Sequence, residues 1–282
     1  MRLALMLALC AGLAHARVEV RDDYGRVVAL PAPARRIVSL APHLTELLYA
    51  AGAGARVVGA VEYSDYPPEA KRLPRVGSDA GIDLEAVIAL RPDLVVAWPN
   101  AGSVRTVDRL AALSIAVFRS EPRELDDIPR TLERFGHLVG TEGEATRAAE
   151  AFRTRVRELE RRYSSRRRVR VFYQVWDRPL ITVNGEHVIS KVMRLCGGEN
   201  VFAALPRIAP EIDLEAVVRA DPEAIISSGA SLEGWKSFPG LSAVTKGHLY
   251  AIAPELIQRH TPRLLDGAEQ LCTLLERVRT RS

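Results

Sequence analysis

The sequence predicts an α/β protein made of two similar lobes, each built on a parallel sheet, with one long helix joining them. The segment Ile-Asp-Leu-Glu-Ala-Val occurs twice, at residues 82–87 and 212–217. A proline and then a β-branched run, typical of a buried parallel strand, follow each copy. Strands and helices alternate in both halves, and a helical stretch without a Gly/Ser-rich linker separates them.

Each copy of the repeat is expected to form a short helix that starts at an aspartate cap. Asp83 and Asp213 would accept hydrogen bonds from the free N–H groups of the first turn. Each copy also places a glutamate, Glu85 or Glu215, in that first turn. A carboxylate there suits the helix dipole, which is sufficient reason for one such glutamate.

The first half, residues 17–124, is predicted as the N-terminal α/β lobe. A β-hairpin over residues 18–30 opens it and turns at Asp22-Asp23-Tyr24-Gly25. The other elements follow in order: strand 36–40, a turn at Ala41-Pro42, helix 43–51, strand 57–61, loop 63–68, the first repeat copy, a strand ending at Trp98, helix 104–113 and strand 115–118.

Residues 125–165 are predicted as a helical connector. A helix over 125–139 ends at Gly140, and a second helix over 144–163 follows. At 1.5 Å per residue the second helix would span about 30 Å, enough to reach from one lobe to the other.

The C-terminal α/β lobe is predicted over residues 166–282. Its elements follow in order: strand 169–175, a turn at 177–179, helix 189–196 ended by Gly197-Gly198, the second repeat copy, loop 235–240, strand 249–252 and helix 262–278.

A signal peptide is predicted at residues 1–16. Arg2 supplies a positive charge, and the apolar run over 3–13 is shorter than the about 20 residues that span a bilayer. Ala14-His15-Ala16 is a small-x-small cleavage site, so we expect cleavage after Ala16 and a soluble exported chain. The alternative is a lipoprotein signal that uses Cys10, although Leu9 is larger than the usual residue before such a cysteine.

Removal of the signal peptide leaves two cysteines, Cys196 and Cys272. Two cysteines in an exported chain favour a disulfide, and two buried free thiols are the alternative. The sequence contains no Cys-x-x-Cys motif, so nothing in it suggests redox catalysis.

Composition and motifs favour a binding protein over an enzyme. The formal net charge is only +4 over 282 residues, and the arginine cluster at 161–168 is interpreted as a solvated helix end rather than a nucleic-acid patch. The six histidines show no metal-ligand spacing, and there is no nucleophile elbow or P-loop. We therefore expect no catalytic residues, metal site or cofactor.

The aromatic side chains indicate where a ligand would bind. Aromatic residues make up only 6% of the chain, and several lie at or after predicted strand ends or in loops. These are Tyr63, Tyr66, Trp98, Trp176 and Trp235. Ligands of parallel α/β sheets bind beyond the carboxyl ends of the strands, where flat rings suit a large planar ligand. Each ring taken alone is equally compatible with plugging the edge of a core, but Tyr63, Trp98 and Trp176 together, from both lobes, favour a cleft.

A family resemblance rests on motifs spread over nearly all of the predicted mature chain. They lie at residues 36–42, 45–47, 63–68, 84–85, 90–98, 174, 196–202, 261–263 and 269–272. The chain resembles the class III periplasmic substrate-binding proteins of ABC importers. The Ser-Asp-Tyr-Pro-Pro segment at 64–68, Trp98 and the cysteine pair are similar to the cobalamin-binding group of that family.

The resemblance implies two Rossmann-like lobes joined by one long helix. The ligand would lie between the lobes, which would close little around it. In the family, side chains matching Tyr63 and Trp98 line the corrin cleft, and the residue matching Arg259 faces the ligand. Pro42 and Trp176 are further ligand-binding candidates. Asp79 stands where the best-known member has a cleft tryptophan, and Trp176 would restore an aromatic surface nearby.

The resemblance also implies the partners. The family cysteines matching Cys196 and Cys272 form a disulfide. The glutamates matching Glu85 and Glu215 dock onto arginines of the two permease subunits of the importer, which carries its own ATPase subunits. We expect a monomeric periplasmic protein that delivers cobalamin or a related corrinoid.

Two other hypotheses stay open at this point. One is an iron–siderophore or haem binder of the same fold, with arginines for an anionic chelate or with Tyr63, Tyr66 or His43 as an axial ligand. The other is a metal-dependent enzyme or metallochaperone on the same two-lobe fold, against which the scattered histidines argue.

Overall fold

The computed structural model describes residues 17–78, 80–99 and 103–280. The predicted signal peptide at 1–16, with Cys10 and the cleavage site after Ala16, lies outside the described residues, as does Asp79.

The N-terminal lobe is a four-stranded parallel sheet with helices and a preceding hairpin. Its elements are β1 (Val18–Arg21), β2 (Val27–Leu30), β3 (Ile37–Ser39), α1 (Pro42–Ala50), β4 (Val57–Ala60), β5 (Gly77–Ser78), β6 (Gly81–Ile82), α2 (Leu84–Ala89), β7 (Leu94–Ala97), α3 (Val104–Ala112) and β8 (Ala116–Arg119). The parallel sheet has the order β4-β3-β7-β8. The buried strands of this sheet confirm the predicted parallel α/β lobe.

Two small differences from prediction occur in this lobe. Pro42 is the first residue of α1 rather than part of a turn before it, since a missing N–H costs nothing at the first helical position. The predicted loop before the first repeat copy contains the short antiparallel pair β5–β6.

The connector consists of α4 (Asp127–Val139) and α5 (Glu142–Tyr163). Gly140 ends α4 with a left-handed φ of 68°, a conformation that glycine adopts without strain. α5 starts two residues earlier than predicted and has 22 residues, so it is about 33 Å long. Its buried face runs from Ala145 through Phe152 to Tyr163.

The C-terminal lobe repeats the plan of the first. Its elements are β9 (Val169–Gln174), β10 (Trp176–Asp177), β11 (Leu180–Ile181), α6 (Val188–Leu195), β12 (Gly198–Asn200), α7 (Leu214–Ala220), β13 (Ala224–Ser227), α8 (Ser242–Thr245), β14 (Leu249–Ala251), α9 (Pro254–Ile257) and α10 (Leu264–Thr280). The parallel sheet has the order β12-β9-β13-β14.

Strand β12 is absent from the sequence-based prediction, which treated Gly197-Gly198 only as a helix stop. Gly197 ends α6 with a φ of 73°, and Gly198 at once pairs with Val169 of β9. A Cβ on Gly198 would lie 3.0 Å from both Leu275 Cδ1 and Met193 O. The second glycine therefore lets the strand pass close beneath α10.

The two repeat copies begin differently. The Asp83 carboxylate accepts a hydrogen bond from the Ala86 N–H at 2.9 Å, as predicted for a cap. The prediction is wrong for Asp213, whose side chain makes no capping hydrogen bond. The Ala216 N–H donates instead to the backbone carbonyl of Asp213 at 3.1 Å.

One hydrophobic core runs through both lobes and the connector. It joins Leu44 of α1 to Phe135 and Phe152 of the connector and to Tyr173 and Leu271 of the second lobe. The lobes are therefore packed on a common base. In the C-terminal lobe, Cys196 and Cys272 form a disulfide with their Cα atoms 4.6 Å apart, which confirms the predicted pairing.

Among the described residues, no helix is both long and apolar enough to cross a bilayer. The same part of the chain contains no cluster of three or more His, Cys, Asp or Glu side chains with the geometry to hold a metal ion.

Candidate ligand-binding cleft

Segments that follow strands of the two parallel sheets contact each other, and we call the region between them the cleft. Segments after β3 and β4 contribute from the N-terminal lobe, and the segment after β14 contributes from the C-terminal lobe. Direct contacts join the two sides. The His43 and His260 rings lie 6.2 Å apart, and the Arg263 guanidinium stacks 3.8 Å from the centre of the Tyr66 ring.

Three aromatic side chains predicted for the cleft are exposed to solvent. Tyr63 is 71% exposed, Trp98 44% and Trp176 55%. Large aromatic rings normally bury 150–250 Å² each, so rings this exposed leave apolar surface available to a ligand.

Tyr63 is held in an unusual backbone conformation. Its φ is 62°, in the left-handed region that bulky residues rarely adopt. Beneath it, Thr45 Oγ1 forms hydrogen bonds with Ser39 Oγ at 2.9 Å and with Ser64 Oγ at 3.1 Å. All three hydroxyl-bearing residues are buried. This network fixes the loop so that the Tyr63 ring projects outward, and such strain is typical of binding sites.

Trp98 directly follows β7 and packs edge-on against His43 with the ring centres 5.6 Å apart. The Ser103 hydroxyl donates to the Trp98 carbonyl at 2.9 Å and so anchors the backbone after the strand. One side of the indole therefore rests on the floor of the cleft, and the remainder is open.

Trp176 begins β10, in a hairpin that extends beyond β9. Its Nε1 donates to the Arg178 carbonyl at 3.0 Å, which satisfies the polar atom and leaves the ring faces free. The C-terminal lobe thus contributes its own exposed aromatic surface.

Trp235 is not part of this surface, in keeping with the core-plugging role that the sequence left open for each ring taken alone. The residue is 4% exposed and packs against Phe172 with the ring centres 5.5 Å apart. Its Nε1 donates to Gln174 Oε1 at 2.6 Å. A short 3₁₀ helix, Glu233–Ser237, turns this indole into the core of the lobe.

Pro42 contributes less to the geometry. Pro42 is partly buried at the start of α1, next to His43. Asp79 lies outside the described residues, and its place among the candidates stays a prediction.

Arg259 lies at the cleft and bridges the lobes. Its guanidinium contacts Glu46 Oε1 at 2.8 Å, Asp65 Oδ1 at 3.1 Å and the Tyr63 carbonyl at 3.2 Å. The arginine thus links the segment after β14 to α1 and to the loop that carries Tyr63.

Glu46 is a residue that sequence reasoning missed. It lies on α1 and is only 2% exposed, and it accepts from Arg263 Nε at 3.0 Å as well as from Arg259. A usable signal existed: residues 43–48 form a buried run on a short helix, and an ionised side chain inside such a run requires a buried partner.

The two histidines on the floor of the cleft are neutral at pH 7. Burial, with the positive charge of Arg259 nearby, lowers the pKa of His43 to about 3. Burial lowers the pKa of His260 to about 4. Among the described residues, His43 Nε2 has no hydrogen-bond partner.

Glu85 and Glu215 are exposed in the first turns of α2 and α7. In an α/β unit the helix that precedes a strand starts near that strand's carboxyl end, so both glutamates lie toward the cleft-side rim of their lobes. Neither carboxylate forms an ion pair with another residue that the structure describes.

Two α/β lobes on a helical base, with a polar and aromatic cleft between them, define a ligand-binding protein. The sequence profile of the family described as periplasmic binding protein matches residues 37–256, and the chain belongs to that family. This confirms the family resemblance inferred from the sequence.

Similar proteins carry a common name. The chain is 38% identical over 254 residues to the vitamin B12-binding protein of Vibrio cholerae serotype O1, covering 89% of this chain and 92% of that protein. It is also 38% identical over 259 residues to the vitamin B12-binding protein of Yersinia pestis, covering 90% and 91%.

Solved structures give the same picture. The crystal structure of the periplasmic vitamin B12-binding protein of Vibrio cholerae superposes with a TM-score of 0.81 at 38% identity, covering 88% of this chain and 98% of that one. A periplasmic haem-binding protein from Roseiflexus shares the fold, with a TM-score of 0.75 at 23% identity over 86% of this chain and 98% of that one.

Proposed function

We propose that this protein captures cobalamin or a related corrinoid in the cleft between its lobes and delivers it to an ABC importer of the inner membrane. The observation that carries the proposal is the set of exposed aromatic rings from both lobes: Tyr63, Trp98 and Trp176. The relatives named as vitamin B12-binding proteins, which span nearly the whole chain, support the same ligand.

The chemistry of a corrinoid suits this cleft. Its macrocycle is broad and largely apolar. Burial of that surface would stabilise the complex by about 25 cal/mol per Å² of apolar area removed from water. Tyr63 and Trp98 would cover the macrocycle from the N-terminal lobe and Trp176 from the C-terminal lobe. Pro42, Arg259 and Asp79 complete the proposed ligand set at the floor and the polar rim.

The amide fringe of a corrinoid is uncharged, so it would be bound by hydrogen-bonding groups of the protein rather than by a net charge in the cleft. The cleft offers backbone carbonyls, an arginine already paired with carboxylates, and neutral histidines. The ligand would be bound without chemical change, in keeping with relatives that are binding proteins rather than enzymes.

Delivery requires export and docking. Residues 1–16 would be removed after Ala16, and the mature monomer would work in the periplasm, as its relatives do. Glu85 and Glu215, one on each lobe and both without an ion-pair partner in the described chain, would dock onto cationic side chains of the two permease subunits.

The competing ligand classes are haem and ferric siderophores, which bind proteins of the same fold. Calorimetric titration of residues 17–282 with cyanocobalamin, haemin and a ferric tricatecholate separates them. We expect one corrinoid per chain, bound at least a hundredfold more tightly than the two anionic ligands. Tighter binding of haemin or the ferric chelate, or no heat with any corrinoid, would contradict the proposal.

A further inference from the structure

Two arginines of the C-terminal lobe are directed at one buried carboxylate of the N-terminal lobe. Arg259 and Arg263 each contact Glu46 Oε1 at 2.8 Å, and Arg263 makes a second contact to Oε2 at 3.0 Å. The Glu46 side chain is 2% exposed, and those of the arginines are 20% and 18% exposed. A carboxylate removed from water to this extent must be compensated by charge and hydrogen bonds.

These ion pairs neutralise the positive charge of the two arginines in the cleft. Asp65 adds a second carboxylate, 3.1 Å from Arg259, so two cations face two anions. The central carbon of the Arg263 guanidinium also lies 3.8 Å from the centre of the Tyr66 ring, and its Nε and Nη2 donate to Glu46. Both guanidinium groups already donate to carboxylates, so neither presents a free pair of N–H groups to an anionic ligand.

The other ionisable groups on the cleft floor do not restore a positive charge. His43 and His260 are neutral at pH 7, because burial lowers the pKa of His43 to about 3 and that of His260 to about 4. The floor of the cleft is therefore close to electrically neutral, although it contains two arginines and two histidines.

We infer that Glu46 is a specificity-determining residue, which holds Arg259 and Arg263 so that the cleft accepts an uncharged corrinoid and disfavours anionic ligands such as haem or a ferric siderophore. This inference rests on the proposed function, since it explains how that cleft selects among ligands of similar size. Planar guanidinium groups are the usual partners of carboxylate and catecholate anions. Glu46 occupies those groups in advance.

Glu46 has a second effect through the same contacts. Arg259 donates to the Tyr63 carbonyl at 3.2 Å, so the carboxylate orients an arginine that in turn anchors an exposed aromatic residue. A loss of corrinoid affinity alone would report only this positioning. A gain of affinity for anions is the readout that a merely structural residue would not produce.

The test is Glu46→Gln, which keeps the shape of the side chain and removes its charge. Titration with haemin and with a ferric tricatecholate should show affinities about tenfold or more above those of the unmodified chain, the scale of one charge-assisted hydrogen bond. Cyanocobalamin should gain nothing. Glu158→Gln is the matched control, because Glu158 is exposed on α5 and the same change in net charge there should leave all three affinities unchanged.

Unchanged affinity of a folded Glu46→Gln variant for both anions would overturn the inference while leaving corrinoid binding by the unmodified chain intact. Failure of the unmodified chain to bind cyanocobalamin would instead contradict the proposed function. If Glu46→Gln does not fold, Asp65→Asn is the second variant, since Asp65 is 54% exposed and pairs with Arg259 alone. It should give a smaller gain in the same direction, and the absence of any gain would also overturn the inference.

Discussion

Buried histidines at the base of the cleft make the stability of the folded protein depend on pH. Burial lowers the pKa of His187 to about 4, and it lowers those of His43 and His260 to about 3 and about 4. The groups that face His43 are Trp98, His260 and Arg259, and those that face His260 include His187 and the carboxylate of Asp127. The folded protein therefore holds these rings neutral.

The sign of the resulting pH dependence follows from the reference pKa of about 6.5 for histidine in an unfolded chain. Below that value the unfolded chain takes up protons that the folded protein refuses, so stability falls as the pH drops from about 6.5 toward about 4. Each histidine contributes a slope of up to about 1.4 kcal/mol per pH unit in this window. Urea unfolding at pH 5 to 8 measures it.

His43→Gln should lower that slope by up to about 1.4 kcal/mol per pH unit, the contribution of one histidine. His137→Gln is the matched control, because the His137 side chain is 50% exposed. Parallel pH profiles for the unmodified chain and His43→Gln would show that His43 is not held neutral by folding.

At the scale of single residues, sequence reasoning located exposed aromatic residues but could not separate them from buried ones. Trp98 directly follows a strand and Trp235 lies in a predicted loop, yet one is 44% exposed and the other 4%. The difference arises from a 3₁₀ turn and from a hydrogen bond to Gln174, which no local pattern specifies. Glu46 escaped notice for a similar reason, because its partners are more than 200 residues away in the chain.

At the scale of elements, the repeated helices α2 and α7 carry the proposed contact with the importer. Glu85→Lys combined with Glu215→Lys should abolish corrinoid uptake by proteoliposomes that contain the importer, because reversed charges repel cationic permease side chains. Calorimetric affinity for cyanocobalamin should stay within about twofold, since both side chains lie outside the proposed ligand set.

The matched control for this pair is Glu158→Lys with Glu199→Lys, which changes the net charge equally at exposed positions elsewhere. Retained uptake by the Glu85/Glu215 variant would remove these helices from the docking surface. Lost corrinoid affinity would move them into the cleft.

Elements with a clear hydrophobic pattern were predictable, and β12 was not. The 22-residue α5 was found within two residues of its start, because its apolar stripe recurs over several turns. β12 has three residues, two of them polar and one glycine, so neither hydrophobic alternation nor β-branched content marks it. Its place is set by pairing with β9, a tertiary interaction.

At the scale of the whole molecule, the two-lobe plan follows from a sequence repeat, and the relation between the lobes follows from packing. One core passes through α4 and α5, and the Glu46 ion pairs cross the cleft. These contacts join the lobes at the base while the aromatic rings stay open at the carboxyl edges of the sheets. The arrangement favours a preformed cleft with little closure around the ligand.

Hydrogen–deuterium exchange of residues 17–282, with and without cyanocobalamin, measures directly whether a corrinoid lies between the lobes. We expect slower exchange in both walls of the cleft, in the loop at 63–66, after β7, in the β10–β11 hairpin and at 259–263. Exchange in α3 and α8 should not change. Protection confined to one lobe, or no protection at saturating cyanocobalamin, would contradict a corrinoid site in this cleft.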